Sequence, residues 1–388
     1  MSSAPSPQLK WDIFCKVVDN FGDIGVCWRL CCDLAARGHS VRLWLDDVSA
    51  LVWIAPAGCP NVTLIDCSQG IPSTALTTMG DVLVDTFGCE FAINLIAAKA
   101  INTPATAKNS LKNDVLWLNL EYLTAESFAE RSHTLPYTHH AGPAAGWTQR
   151  YFYPGFNERT GGLLRETDLV ERQKAFDKTV WLNQLSQGFD LGFTTQADDA
   201  TQFISLFCYE PVALEALIDQ LAARKTPTCL LVTPGRAAAA VKTVLEHKKR
   251  LQPAYLFPEQ LSILYLPALT QRDYDHLLWA CDLNFVRGED SLVRAIWAAK
   301  PFIWQIYPQT DGAHHVKLDA FLTMMDAPAS LKAAHRAWNA DAPNAQSKDQ
   351  AHPWPELDLP LWAQSAQNLS IKLQGQTDLT ANLVAFVA

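Results

Sequence analysis

The sequence predicts an α/β protein made of two doubly wound, Rossmann-like domains that face each other across a cleft. Three observations carry this. Short runs rich in β-branched and aromatic residues alternate with helix-length segments along most of the chain. At 388 residues the chain exceeds one ordinary domain, so two of roughly 150–200 residues are expected. The alternation is interrupted once, at about 133–162, by Pro, Gly and aromatic residues, and then starts afresh.

In order along the chain, WDIFCKVVD (11–19) is too short for a typical helix and reads as a buried strand. From Asp23 the apolar spacing becomes helical through Cys27, Leu30, Cys31 and Leu34, and Gly38 closes that helix. Val41, Leu43 and Leu45 alternate as the next strand, giving a right-handed β-α-β unit with parallel strands. Further strands are expected at 62–65, 81–85 and 115–120. The Pro/Gly/aromatic stretch reads as irregular chain at a domain junction. The second series has strands at 203–209, 228–235, 261–267, 282–287 and 300–306, with helices at 212–223 and 274–280. Residues 339–360 read as a linker, and no repeat of 20–50 residues is present. The expected division is 1–180 and 181–360, with a C-terminal helix at 361–388 returning to the first domain.

Composition narrows the function classes. Hydrophobic residues make up 49% and charged residues 18%, enough apolar side chains for large cores. A net charge of −9 argues against nucleic acid as a partner. No stretch approaches the roughly 18 apolar residues of a membrane span, and the N-terminus lacks the pattern of a leader. A cytoplasmic location is expected. The ten cysteines contain no C-x-x-C pair and read as small reduced hydrophobes. His139-His140 and His314-His315 are adjacent pairs that do not reproduce metal-ligand spacing, so no metal is expected.

In such sheets ligands bind beyond the carboxyl ends of the strands, so the chemistry is expected at strand-to-helix turns. Two turns stand out. VVDNFGDIG (17–25) has only Gly22 and Gly25 where a dinucleotide fingerprint needs G-x-G-x-x-G, and it adds Asp19 and Asp23. Asp46, ending the second strand, stands where a ribose-binding acid would. A helix cap accounts for one carboxylate, not two; a pair suits a cationic acceptor, to which a guanidinium is matched, or a general base. The other turn is FVRGEDSLVRA (285–295). Arg287 ends a strand, Gly288 allows a tight turn, and Glu289, Asp290 and Ser291 enter a helix whose first N–H groups could hold a phosphate, with Arg294 nearby. Helix capping by Asp290 or Ser291 explains this pattern equally well.

Four strings, WDIFCKVVDNFGDIGVCWRLCCDLA, VLWLNLEYLTAES, YFYPGFNERTGGLLRE and VRGEDSLVRAIWAAKPFIWQIYPQ, together resemble the bacterial protein-arginine rhamnosyltransferases that modify elongation factor P, from Trp11 to about Phe321. The resemblance implies a GT-B fold, dTDP-β-L-rhamnose as donor, no cofactor, and an arginine of elongation factor P as acceptor, glycosylated with inversion. It implies that Asp23 is the general base, Asp19 a second essential aspartate and Glu289 an essential glutamate. Asn20, Phe21 and Gly22 then lie on the acceptor side with Asp19 and Asp23. Tyr209, Gln271, Tyr274, Arg287, Gly288, Glu289, Asp290 and Ser291 line the donor site. Ala268 departs from the pattern, standing where many relatives carry phenylalanine in the nucleotide pocket, so that either the base is held less tightly or Tyr274 and Tyr265 compensate. Gly161 and Gly162 are candidates for close approach to a substrate. Another GT-B nucleotide-sugar transferase, or a nucleotide-binding regulator without catalysis, remains open; the regulator would not need Asp19 and Asp23.

Overall fold

In the computed structural model, which describes residues 8–18, 22–102, 115–196, 200–251, 259–309, 312–341 and 354–388, a single buried strand organises the first half. β1 (Lys10–Cys15) buries both faces. Trp11, Ile13 and Cys15 enter one apolar cluster and Phe14 the other, the period-two alternation of a strand covered on both sides. Parallel pairing places β2 (Ser40–Leu45) on one side of it and β4 (Val82–Thr86) on the other. With β3 (Val62–Asp66), β5 (Leu116–Leu120), β6 (Pro136–Thr138) and β7 (Thr148–Phe152) the order is β3-β2-β1-β4-β5-β7-β6. The direction of winding reverses at β1, so the crevice at the carboxyl ends of β1 and β4 is the switch point.

The stretch expected to be irregular instead extends this sheet. β7 pairs parallel with β5 and antiparallel with β6. Its Phe152 and the preceding Trp147 are buried in the two clusters. The glycines of the connecting turn, Gly142 and Gly146, have φ of 74° and 79°, and their turn chemistry masked the strand pattern on either side.

The second unit repeats the plan. β8 (Gln202–Leu206), β9 (Thr228–Val232), β10 (Leu261–Tyr265), β11 (Leu283–Arg287) and β12 (Phe302–Gln305) are all parallel, in the order β10-β9-β8-β11-β12. Its switch point lies between β8 and β11.

Residues 1–169 with 373–388 form one unit and 170–372 the other, which differs from the expected boundaries. The helix Lys178–Phe189 spans the expected break at 180, but its Leu182 and Leu185 are buried in the core of the second unit. The helix Leu359–Gln374 belongs largely there too, with Trp362 Nε1 donating to Ser330 Oγ at 3.0 Å. The return to the first unit is made by the helix Leu379–Val387, whose Leu379 and Leu383 complete the cluster around β1. Gly161 and Gly162 serve this return: a Cβ on either would collide with Phe152 or with the Thr377 carbonyl. Leu379 N–H bonds the Leu163 carbonyl at 2.9 Å and Asn382 Nδ2 the Gly161 carbonyl at 3.0 Å. The glycines therefore accommodate the chain itself.

All ten cysteines are free thiols. Burial pushes Cys31 well above the ordinary thiol range, which suits packing and not reactivity. No helix among the described residues is long and apolar enough to cross a membrane.

His335, in the helix Ala329–Trp338, is fully buried. Its Nδ1 lies 3.0 Å from the Leu331 carbonyl and its Nε2 has no partner. Burial pushes the imidazole from 6.5 down to about 4. Below pH 6.5 the unfolded chain therefore takes up a proton that the folded chain refuses, and stability falls until about pH 4. Replacing His335 with Leu is expected to reduce the stability lost between pH 7.5 and 4.5 by roughly 2–3 kcal/mol, measured by urea unfolding at the two pH values.

Candidate active site

At the first switch point, β1 hands over to the helix Gly22–Ala36. Asp23 lies in its first turn with 4% exposure. Its Oδ2 accepts the Val18 N–H at 2.9 Å, tying the carboxylate to the chain leaving β1. Asp46 Oδ1 accepts the Val17 N–H at 2.9 Å; the acid suggested for a ribose instead braces the same turn. The helix is linked to β4 by Cys27 Sγ donating to Thr86 Oγ1 at 3.4 Å. Gly22 opens the helix, while Asp19, Asn20 and Phe21 lie outside the described residues.

The second switch point gathers most of the residues expected to bind the donor. Arg287, at the end of β11, is 6% exposed. Its guanidinium carbon sits 4.4 Å from the ring centre of Phe207 and 4.5 Å from that of Tyr209, both on the chain leaving β8. Among the described residues the guanidinium makes one hydrogen bond, to the Cys208 carbonyl at 3.4 Å, and no ion pair. Tyr209 is buried; its N–H donates to Gln305 Oε1 at 2.8 Å, and its ring meets Tyr307 edge-on at 5.6 Å. Gly288, with φ of 65°, forms the turn, and Trp304 Nε1 donates to its carbonyl at 2.8 Å. Glu289 stands at the N-cap of the helix Asp290–Ala298 without capping it through its side chain, and pairs with Lys317 Nζ at 2.8 Å.

Ser291 is buried, and its hydroxyl bonds the backbone of Arg287, accepting the N–H at 3.2 Å and donating to the carbonyl. The hydroxyl thus closes the turn. Tyr274 packs edge-on to Phe207 at 5.7 Å. Its hydroxyl is buried beside Ser291 and has no hydrogen-bond partner among the described residues; burial pushes the phenol well above its ordinary range. Gln271 opens the helix Gln271–Ala280, capped by Thr270 accepting from the Asp273 N–H. Ala268 and Tyr265 are both exposed, and Lys242 Nζ lies 5.2 Å over the Tyr265 ring.

Arg294 departs from expectation. Its guanidinium is buried in a two-pronged pair with Asp275, at 2.8 and 2.7 Å, and Arg172 lies 3.6 Å from the same carboxylate. It joins the helix after Arg287 to the helix that carries Gln271 and Tyr274, and so acts on the fold. The sequence reading missed Arg236, Lys317, Gln305 and Tyr307. Arg236 was detectable, since TPGR follows β9 at a strand-to-helix turn; Lys317 arrives from a distant helix and leaves no local signal. His314, His315 and Asp341 bring potential ligand atoms within 4.8 Å of one another, a grouping the adjacent spacing did not suggest. The Gln309 N–H donates to His314 Nδ1 at 3.2 Å, which in the neutral ring leaves the proton on Nε2. A protonated Nε2, 3.9 Å from the Asp341 carboxylate, suits an electrostatic contact better than a metal ligand.

Residues 11–388 match the family described as Elongation-Factor P (EF-P) rhamnosyltransferase EarP. The chain belongs to this family. Its relatives include protein-arginine rhamnosyltransferases of Pseudomonas aeruginosa, 38% identical over 98% of this chain and 99% of that one, and of Shewanella oneidensis, 36% identical over 99% of each. One from Neisseria meningitidis serogroup B is 31% identical over 98% of this chain and 97% of that one. A solved structure described as the structural basis for EarP-mediated arginine glycosylation of translation elongation factor EF-P aligns over 98% of each chain at 29% identity, with a TM-score of 0.60. Arabidopsis thaliana UGT89C1 complexed with UDP aligns over 98% of this chain and 100% of that one, at 12% identity and a TM-score of 0.50; this likeness concerns the fold alone. The fold is GT-B, the expected class, and the family is one of glycosyltransferases.

Removing one partner of a buried ion pair strands the other charge, which costs about 3–5 kcal/mol, whereas exposed pairs contribute about 0–1 kcal/mol. Asp275→Asn is therefore expected to lower unfolding stability by about 3 kcal/mol or more. Asp319→Asn, which breaks an exposed pair with Arg336, is expected to cost less than about 1 kcal/mol. Urea unfolding of the two variants checks the contrast.

Proposed function

We propose that this protein transfers L-rhamnose from dTDP-β-L-rhamnose to an arginine side chain of elongation factor P, with inversion at the sugar carbon. The observation that carries the donor half is Arg287, a buried guanidinium held between two aromatic faces without a carboxylate partner among the described residues. A buried cation of this kind is costly unless an anion joins it. It ends β11, at the start of a helix whose first turn favours negative charge. A nucleoside diphosphate meets both requirements. Family membership and the EF-P glycosylation described for the solved relative support the acceptor half.

The acceptor chemistry falls to the first unit. A guanidinium stays protonated far above neutral pH and its lone pair is delocalised, so one terminal nitrogen must lose a proton as it attacks. Asp23, buried at a helix start and held by the Val18 N–H, takes that proton, and Asp19 either grips the remaining nitrogens or orients Asp23. One step balances the reaction: the N–C1 bond forms as the C1–O bond to the diphosphate breaks, the proton passes to Asp23, and dTDP departs with the bonding electrons. Arg287 and the helix start stabilise the charge that develops on the leaving oxygen. Glu289, which pairs with Lys317, accepts hydrogen bonds from hydroxyls of the sugar.

Incubation with elongation factor P and dTDP-rhamnose is expected to add one deoxyhexose to an arginine, read by intact mass and fragmentation; no mass gain with folded components overturns the proposal. Asp23→Asn is expected to reduce transfer at least about 100-fold while dTDP affinity by calorimetry stays within about twofold. Loss of dTDP affinity in that variant would instead move Asp23 out of the acceptor role.

A further inference from the structure

The second-unit cluster contains a cation that the reading above does not use. Arg236 is the first residue of the helix Arg236–Leu251, directly after Gly235, whose φ is 81°. Its guanidinium carbon lies 4.7 Å over the Tyr209 ring, the ring that also carries Arg287 at 4.5 Å. Its Nε donates to Glu210 Oε1 at 2.7 Å and its Nη2 to Glu210 Oε2. Two guanidiniums against one ring repel each other, and a positive side chain at a helix start opposes the helix dipole. Glu210 relieves both. Its hydrogen bonds from Arg236 hold its carboxyl below the usual range, so it is ionised at neutral pH.

That relief is replaceable. The side chains of Arg236 and Glu210 are 41% and 54% exposed, and exposed pairs contribute little to stability. A phosphate group offers the same planar fork a stronger, two-pronged partner. Of the charged groups stacked on or paired beside Tyr209, Arg287 and Arg236 outnumber Glu210 by one, and an incoming diphosphate would displace Glu210 from Arg236.

We infer that Arg236 is a second diphosphate-binding arginine and that Glu210, its partner here, is exchanged for the donor on binding. This rests on the reading that a nucleoside diphosphate occupies the Arg287 turn. Tyr209 is then the shared wall: its two neighbouring guanidiniums grip the diphosphate from two strand ends, β9 and β11. The exchange leaves Arg236 parked in a defined rotamer when the site is empty.

Calorimetry with dTDP and with thymidine separates the phosphate contribution from that of the base and sugar. Arg236→Ala is expected to weaken dTDP about 10-fold or more, since a hydrogen bond to a charged group is at stake, and to leave thymidine within about twofold. Glu210→Gln removes the competitor and is expected to tighten dTDP by about 2- to 5-fold, again without effect on thymidine. The inference is overturned if Arg236→Ala leaves dTDP unchanged, or weakens thymidine as much, which would reduce Arg236 to a support for the Tyr209 ring. It is also overturned if Glu210→Gln weakens dTDP, because Glu210 would then be positioning Arg236 for the ligand. Arg287→Ala distinguishes the two levels. If dTDP binding survives that change, the donor-site reading itself fails; if it is lost while Arg236→Ala is silent, only the exchange fails. Near-ultraviolet circular dichroism confirms that each variant is folded.

Discussion

A guanidinium buried between two aromatic rings, with no ion pair among the described residues, sets the character of the second unit. Aromatic faces offer Arg287 electrostatic stabilisation without neutralising it, so the turn keeps its attraction for an anion. Much of the surrounding structure holds this arrangement. Gln305 fixes the backbone of Tyr209, Trp304 fixes the Gly288 carbonyl, and Ser291 closes the turn on Arg287 itself. Behind them, the buried Arg294–Asp275 pair fastens the two helices whose first turns border the turn and the Tyr274 ring. The two arginines are close in sequence and differ in surroundings: Arg294 is paired with Asp275, whereas Arg287 lies between two rings with no ion pair among the described residues.

The two units place their chemistry at equivalent points of the same winding. In each, the first strand runs through the middle of the sheet, the direction of winding reverses beside it, and the loop that follows carries the informative side chains. The loops differ in content. After β1 and β2 the described residues offer the carboxylates of Asp23 and Asp46, both engaged with backbone N–H groups. After β8, β9 and β11 they offer Arg236 and Arg287 against the rings of Phe207 and Tyr209, with Glu210 paired to Arg236. A shared architecture thus presents carboxylates at one set of strand ends and guanidiniums stacked on aromatic rings at the other.

Most strands were readable because parallel strands covered on both faces form compact apolar runs, as in IFC at Ile13–Cys15 or CLLV at Cys229–Val232. The strands β6 and β7 were missed because only Phe152 of their residues is fully buried; the rest are partly or wholly exposed, and an edge pair with short contact leaves little periodicity. Domain limits were misplaced for a similar reason. Helix Lys178–Phe189 continues the local pattern of its surroundings, and only the packing of Leu182 and Leu185 reveals its unit. At the site, Asp23 and Arg287 were found from their strand-to-helix turns, whereas Lys317 and Gln305 were not, since their importance lies in the atoms they meet.

Alone, the sequence determined most of the segments that become strands and helices, where the strand-to-helix turns lie, and that one of two charged turns holds carboxylates while the other mixes arginines with carboxylates. These follow from apolar spacing and glycine placement, which act over a few residues. Tertiary structure decided which charges remain available. Arg294 and Arg287 look alike in the string VRGEDSLVR, and only the position of Asp275, brought in by a neighbouring helix, removes one from the site. Glu210 and Arg236 are separated by a whole helix and strand, yet meet over one ring. Electrostatic partnership depends on separations of a few ångströms between distant parts of the chain, and such separations exist only once the sheet has brought its strand ends together.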